Sequence, residues 1–316
     1  MTQTPDDDSN RDDAAGRSTG PRRGEPDHEP ISAPRRTGQQ VFNELQRLSR
    51  AKGRASGKPV ATQEYLTRHT LESFLDRLST TGHAKDFILK GGLLTGAYDV
   101  RRPTKDVDSN AISATVSEAW LTQVARDVAD CDANDGVTFD QDSLTVETIR
   151  EQEGYRGVRL RMPTMIGLAR GELAWDVSTG DPIVPPPRLI QLQRVLGDPI
   201  PIWSYAPETI IAEKAVTILE RGITSTRWRD YIDIVQLHRQ QTIDQTSLLQ
   251  AVQAVARYRQ VKLRPIDEVV AGYGDLSQAK WAAWRRKSRM QETCEEQLDD
   301  QMKLIADILN PIFEND

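Results

Sequence analysis

Thiols and imidazoles are scarce in this chain, with two cysteines and four histidines among 316 residues. Cys131 and Cys294 are too far apart in sequence to suggest a disulfide framework and suit a reducing cytoplasm. No histidine falls near a cysteine, so zinc-ligand spacing is missing. No apolar run reaches the roughly eighteen residues that a membrane span needs, and no membrane partner is expected. The N-terminal stretch has no apolar core of the kind a signal peptide carries. Hydrophobic residues make up 37% of the chain, a low share, and part of the deficit lies in residues 1–40. That tail has eight acidic and six basic residues and almost no large apolar ones, so it reads as disordered. Net charge is −6, of which the tail carries −2 and the body −4. An acidic body is not an obvious nucleic-acid binder, and any such role must rest on a local basic patch.

Against these absences stands one informative stretch, Phe87 to Asn110 (FILKGGLLTGAYDVRRPTKDVDSN). The apolar Phe87, Ile88 and Leu89 lead through Lys90 into Gly91 and Gly92, a strand–turn–helix pattern. Lys105–Asn110 reads as the next strand, and residues i and i+2 of a strand share a face. Asp106 and Asp108 then present two carboxylates side by side. Gly91 and Gly92 open a helix, where free N–H groups can hold a phosphate. Carboxylates for a hard divalent cation beside a phosphate cradle are what nucleotide transfer needs.

Helical spacing marks Val41–Arg50, Tyr65–Leu78 and Val116–Ala129. Val137 to Met162 reads as a β-hairpin whose second arm alternates Val158, Leu160 and Met162 with Arg159 and Arg161. Further strands are expected at Gly171–Asp176, Ile190–Val195 and Ile200–Tyr205. Pro207 opens a helix that Gly222 ends, and the pattern stays helical to the C-terminus.

Each polar motif has a functional and a plain structural meaning. Asp176, between Trp175 and Val177, is costly there without a counter-charge or a metal. Brought to Asp106 and Asp108 it would make a set whose repulsion roughly two Mg²⁺ ions could relieve; otherwise it caps a turn into Ser178–Gly180. By spacing alone Lys214 reads as a snorkelling surface lysine. Asp230 and Asp233, one helical turn apart, read as helix-start charges or as partners of Arg227 and Arg229. Asp130, Asp132 and Asn134 imitate the start of an EF-hand loop. Asp135 and Gln141 stand where that loop needs glycine and glutamate, so a polar loop is expected. Arg257–Arg264 (RYRQVKLR) and Lys280–Arg289 (KWAAWRRKSR) are basic and aromatic, fit either for phosphate backbones or for a solvated helix face with Trp281 and Trp284 packed inward.

The segments KGG, RPTKDVD, AWDVSTGDP, ETIIAEKAVTILERG and RWRDYIDI together resemble the AbiEii/MenT-type nucleotidyltransferase toxins, within the DNA polymerase β-like nucleotidyltransferase superfamily, over about Phe87 to Leu237. The resemblance implies an α+β fold: a nucleotidyltransferase-type mixed sheet with flanking helices, followed by a helical C-terminal domain. The expected division is a tail at 1–40, a core at 41–206 and helices at 207–316. It also implies a toxin of a phage-defence toxin–antitoxin system, moving a nucleotide from an NTP to the 3′ end of tRNA and neutralised by a cognate antitoxin.

Site roles follow from the same resemblance. Gly91 and Gly92, with Lys90, match the motif that faces the triphosphate. Asp106 and Asp108 match the metal-binding pair for Mg²⁺. Asp176 fits the third carboxylate, completing a metal site or accepting the acceptor's proton. Lys214 matches a helical lysine on the nucleotide phosphates, and Asp230 and Asp233 match the acids of a (K/R)DxxD motif. Thr104 falls where some relatives carry a phosphorylatable hydroxyl. Ser109 stands where the family usually has an aliphatic residue, and Leu93-Leu94 where it often has Thr-Ala. A small-molecule nucleotidyltransferase and a silent nucleotide-binding protein of the same fold are the rival expectations.

Overall fold

The computed structural model describes residues 36–100, 104–112, 116–149 and 157–313. The expectation of a disordered tail falls largely outside these residues. Where description begins, order starts earlier than position 41: Thr37 and Gln40 form a reciprocal capping box for helix α1 (Gly38–Ser56). Helix α2 (Thr62–Thr80) follows, then β1 (Phe87–Lys90), α3 (Gly91–Ala97), β2 (Val107–Ala111) and α4 (Glu118–Asp130). The strands β3 (Val137–Phe139), β4 (Thr145–Ile149), β5 (Gly157–Ile166), β6 (Ala169–Thr179), β7 (Arg188–Leu192) and β8 (Ile200–Ser204) precede, among the described residues, six α-helices and a short 3₁₀ turn at Gly222–Thr224. The α-helices are α5 (Pro207–Arg221), α6 (Trp228–Gln240), α7 (Gln245–Arg259), α8 (Ile266–Val269), α9 (Tyr273–Ser288) and α10 (Leu298–Phe313). Pro207 opens α5 and Gly222 ends it at φ +51°, as their chemistry requires.

The strands form one mixed sheet in the order β3-β5-β6-β2-β1-β8-β7, with β4 also paired to β5. The expected Val137–Met162 hairpin is therefore two separate pairings. β3 lies against the C-terminal half of β5 and β4 against its N-terminal half. The partner of β5 along its whole length is β6, joined by the tight turn at Gly167-Leu168. A ten-residue strand is long enough to take two short partners on one edge, which period-2 alternation cannot reveal.

Alternation decides what the sheet does. Val107, Trp175, Val177, Leu160 and Met162 sit on one face, packed in the core. Trp175 lies in edge or tilted contact with Phe74 of α2 and Phe87 of β1. The opposite face carries the acids. The core does not stop at the sheet: the same apolar cluster continues through α5, α6 and α7 to Ile305 and Phe313. At Pro207 the secondary structure changes while the packing goes on.

Candidate active site

Strand register assembles the carboxylates. β2 and β6 are parallel, with Asp108 beside Asp176. Asp106 lies two residues before Asp108, in the bend entering β2 rather than inside the strand as its spacing suggested. The three offer oxygen atoms all within 4.8 Å of one another. Asp176 stands mid-strand, so it caps no turn. Its counter-charge comes from β5: Arg159, opposite it in register, donates Nε and Nη2 to its two carboxylate oxygens at 2.6 and 2.5 Å. The hydrogen bonds to Asp176, with its charge and that of Asp106, raise the Arg159 pKa further still. Three hard oxygen donors on one face, already offset by one guanidinium, fit a divalent cation of the magnesium type. Thr104 donates from its hydroxyl to a carboxylate oxygen of Asp106 at 3.2 Å.

The glycine turn meets these acids directly. β1 is antiparallel to β2, with Lys90 opposite Asp108. Gly91 has φ +69°, and a Cβ there would stand 1.9 Å from the Asp108 carboxylate. Only glycine allows both the left-handed backbone and that approach. The first turn of α3 receives no side-chain cap. Gly92 is buried behind it, and Leu93 and Leu94 enter the core.

Asp108 shares a cleft with several cations and further acids. Lys90, Gly91 and Asp108 line one cleft together with Asp181, Tyr205, Glu213, Lys214, Arg221, Arg227, Asp230 and Arg259. Lys214 is no snorkelling residue. Its ammonium lies 2.5 Å from Asp230 and 2.9 Å from Asp233, across the α5–α6 contact. Arg227 Nε donates to the second Asp230 oxygen at 2.6 Å. Burial pushes the Asp230 carboxyl up, but Lys214 and Arg227 outweigh it and hold it down at about 2. Asp233 is fully buried behind this pair, beside a second cavity that also takes in Asp99 and Arg229. Arg259 donates to Asp181 at 3.2 Å and to Thr217 at 3.0 Å. Lys90 lies 3.5 Å from Asp181 and 3.4 Å from Glu213. Beneath it, Asn110 donates to the Tyr205 hydroxyl at 2.9 Å and to the Asp181 carbonyl at 3.0 Å. Tyr205 in turn donates to Glu213 at 2.9 Å.

The AbiEii model, described as a nucleotidyl transferase toxin of a type IV toxin–antitoxin system, matches residues 73–303. This chain belongs to the AbiEii toxin family. Membership makes it a nucleotidyltransferase toxin and implies an antitoxin counterpart. Among solved structures, JHP933 from Helicobacter pylori is 12% identical, over 81% of this chain and 94% of its own, at a TM-score of 0.47. A candidate nucleotidyltransferase from H. pylori is 13% identical, over 80% and 96%, at 0.44. No curated protein matches the chain.

Two departures from the AbiEii pattern have local causes. Leu93 and Leu94 fill core space, and Ser109 accepts a hydrogen bond from the buried Trp175 indole at 3.1 Å. Asp181, Glu213, Arg221, Arg227 and Arg259 line the cleft of this AbiEii protein without having been singled out for it by sequence. Each was within sight of a motif: Asp181 ends the AWDVSTGD run, Glu213 precedes Lys214, and Arg259 lies in the basic RYRQVKLR segment. The Asp130–Asn134 decoy is a polar loop in which Asp132 accepts from the Asn134 amide. Trp281 and Trp284 stack on each other at 5.3 Å and pack on Trp228, so the tryptophans of the second basic segment turn inward. Among the described residues no helix is long and apolar enough to cross a membrane.

Proposed function

We propose that this AbiEii toxin is a Mg²⁺-dependent nucleotidyltransferase that moves a nucleotide from an NTP to the 3′ end of an RNA, tRNA foremost, and so blocks translation. The observation that carries the reading is the seating of Asp108 against the Cα of Gly91, in a cleft also lined by Lys214, Arg227 and Arg259. Acids, turn and cations meet in one place.

Asp106, Asp108 and Asp176 would hold the cation, whose charge when bound neutralises phosphate oxygens and so lowers the barrier to displacement. Gly91 allows the triphosphate close to the backbone, where the uncapped first amides of α3 donate to it. Lys90 orients the same phosphates from the β1 side. Lys214, with Asp230 fixing its ammonium, meets negative charge gathering on the β- and γ-phosphates. The acceptor's 3′-oxygen forms a bond to the α-phosphorus, the bond to the β-phosphate oxygen breaks, and pyrophosphate leaves. The hydroxyl proton passes to a carboxylate of the acid group or to water. Arg159 keeps Asp176 aimed while substrates come and go. Positioning and charge supply most of the acceleration in such chemistry. A phosphate on Thr104, about −2 in charge beside Asp106, would silence the site.

Total tRNA incubated with each labelled NTP in turn, with and without magnesium, tests the proposal. Label is expected in tRNA only with magnesium, and none with Asp106→Ala. Equal labelling by Asp106→Ala and wild type would overturn the assignment. Transfer to small hydroxylated acceptors in preference to RNA would replace the acceptor half of it.

A further inference from the structure

The basic segment that closes α7 divides in two. Arg259 turns inward, its guanidinium buried against Asp181 and Thr217 in the cleft. Arg257, Tyr258, Lys262 and Arg264 stay exposed, and none of the three basic side chains is ion-paired among the described residues. Tyr258 is 43% exposed, one of few large hydrophobic side chains at the surface. Its hydroxyl end rests on Gly180: a Cβ at that position would lie 2.3 Å from the phenol oxygen. Gly180 has φ +89° and joins the end of β6 to Asp181. The ring thus sits beside the cleft, one residue from Arg259 on its own side and, through Gly180, one from Asp181 on the other.

An aromatic ring whose polar end touches the backbone at Gly180 while much of it is open to water has an uncovered face. Aromatic faces of that kind stack nucleobases, whatever the base, and flanking cations track the phosphates. Resting on the transfer reaction proposed above, we propose that Tyr258 is the stacking platform for a base near the 3′ end of the acceptor strand, with Arg257, Lys262 and Arg264 holding its phosphates. The ligand is a single-stranded nucleic acid with a free 3′ end, delivered to the Asp108 side of the cleft from the α7 rim. A docking surface for an acidic protein would use the same cations but would not need the ring.

Binding alone tests this, without NTP or magnesium. The full chain is titrated against a 5′-labelled single-stranded oligoribonucleotide and followed by fluorescence anisotropy. Tyr258→Ala is expected to weaken binding by roughly ten-fold or more, and Tyr258→Phe to stay within about two-fold of wild type. Arg257→Gln, Lys262→Gln and Arg264→Gln are each expected to reduce the slope of log affinity against log salt by about one phosphate contact. Calorimetry of Mg²⁺–NTP binding provides the separate control: Tyr258→Ala should leave it unchanged. A wild-type chain that binds NTP but not the strand overturns the platform while sparing the enzymatic reading. Equal strand affinity for Tyr258→Ala and wild type also overturns it. So does a loss of NTP binding in Tyr258→Ala, which would make the ring a prop for Gly180 and Asp181.

Discussion

The two walls of the cleft are built by different means. On the sheet wall, Asp108 and Asp176 meet because two parallel strands are in register, and backbone hydrogen bonds set their separation. On the helix wall, Lys214, Asp230, Asp233 and Arg227 meet through their side chains, across the packing of α5 on α6. A register shift of one residue in β2 or β6 would turn Asp108 or Asp176 into the core, so that pair is either right or absent. The helix wall depends on each charge having its partner, and removal of one exposes the cost of burying the others. The sheet wall thus concentrates chemistry in single side chains, whereas the helix wall spreads stability and phosphate attraction over several.

Substitutions can separate these roles. Asp108→Ala should have the largest effect, lowering nucleotidyl transfer by at least about a hundred-fold while thermal unfolding stays near that of wild type. Induced expression would show it directly, since growth arrest by the wild-type chain should be relieved in the variant. An unfolded Asp108→Ala chain would mean that the sheet wall is as interdependent as the helix wall. Lys214→Met should act on both counts, slowing transfer less than Asp108→Ala does and lowering stability by about 3–5 kcal/mol, because Asp230 and Asp233 remain buried without it. Denaturant unfolding at neutral pH measures the second part.

Acid should reach the helix wall by a predictable route. The Asp230 carboxyl is held at about 2 in the folded chain, below its ordinary value of 3.8. A depressed carboxylate contributes stability that is present above the unfolded value and lost as pH falls through the folded one. About 2 kcal/mol should therefore disappear between pH 4 and pH 2, and Asp230→Asn should lack that part of the acid limb. The smallest effect should come from the core side of the sheet wall. Ser109→Val restores an aliphatic residue but leaves the Trp175 indole without its acceptor, at a cost of about 1 kcal/mol and with transfer unaffected.

How far sequence carries the argument differs between the walls in the same way. Asp108 and Gly91 could be placed because strand period and a glycine's backbone freedom are local properties, whereas Asp106 falls in the bend before β2, where strand period does not reach. Asp176 could be suspected from its apolar neighbours Trp175 and Val177, yet its partner Arg159 depends on the β5–β6 register, which alternation alone does not specify. Lys214 reads as an ordinary surface lysine until α6 is laid against α5. Arg259 and Asp181, 78 residues apart in sequence, owe their pairing to the way α7 packs. The early start of α1 was in reach, since Thr37 and Gln40 carry the capping-box pattern.

Core continuity has a consequence for how this toxin is made. The acids and the glycine turn are complete once the ribosome has passed Asp176, but Lys214, Arg227 and Arg259 come later, and α6 is braced by α10 through the Gln301 amide on the Tyr231 carbonyl. A nascent or truncated chain ending before α5 holds one side of a vise with nothing to close against.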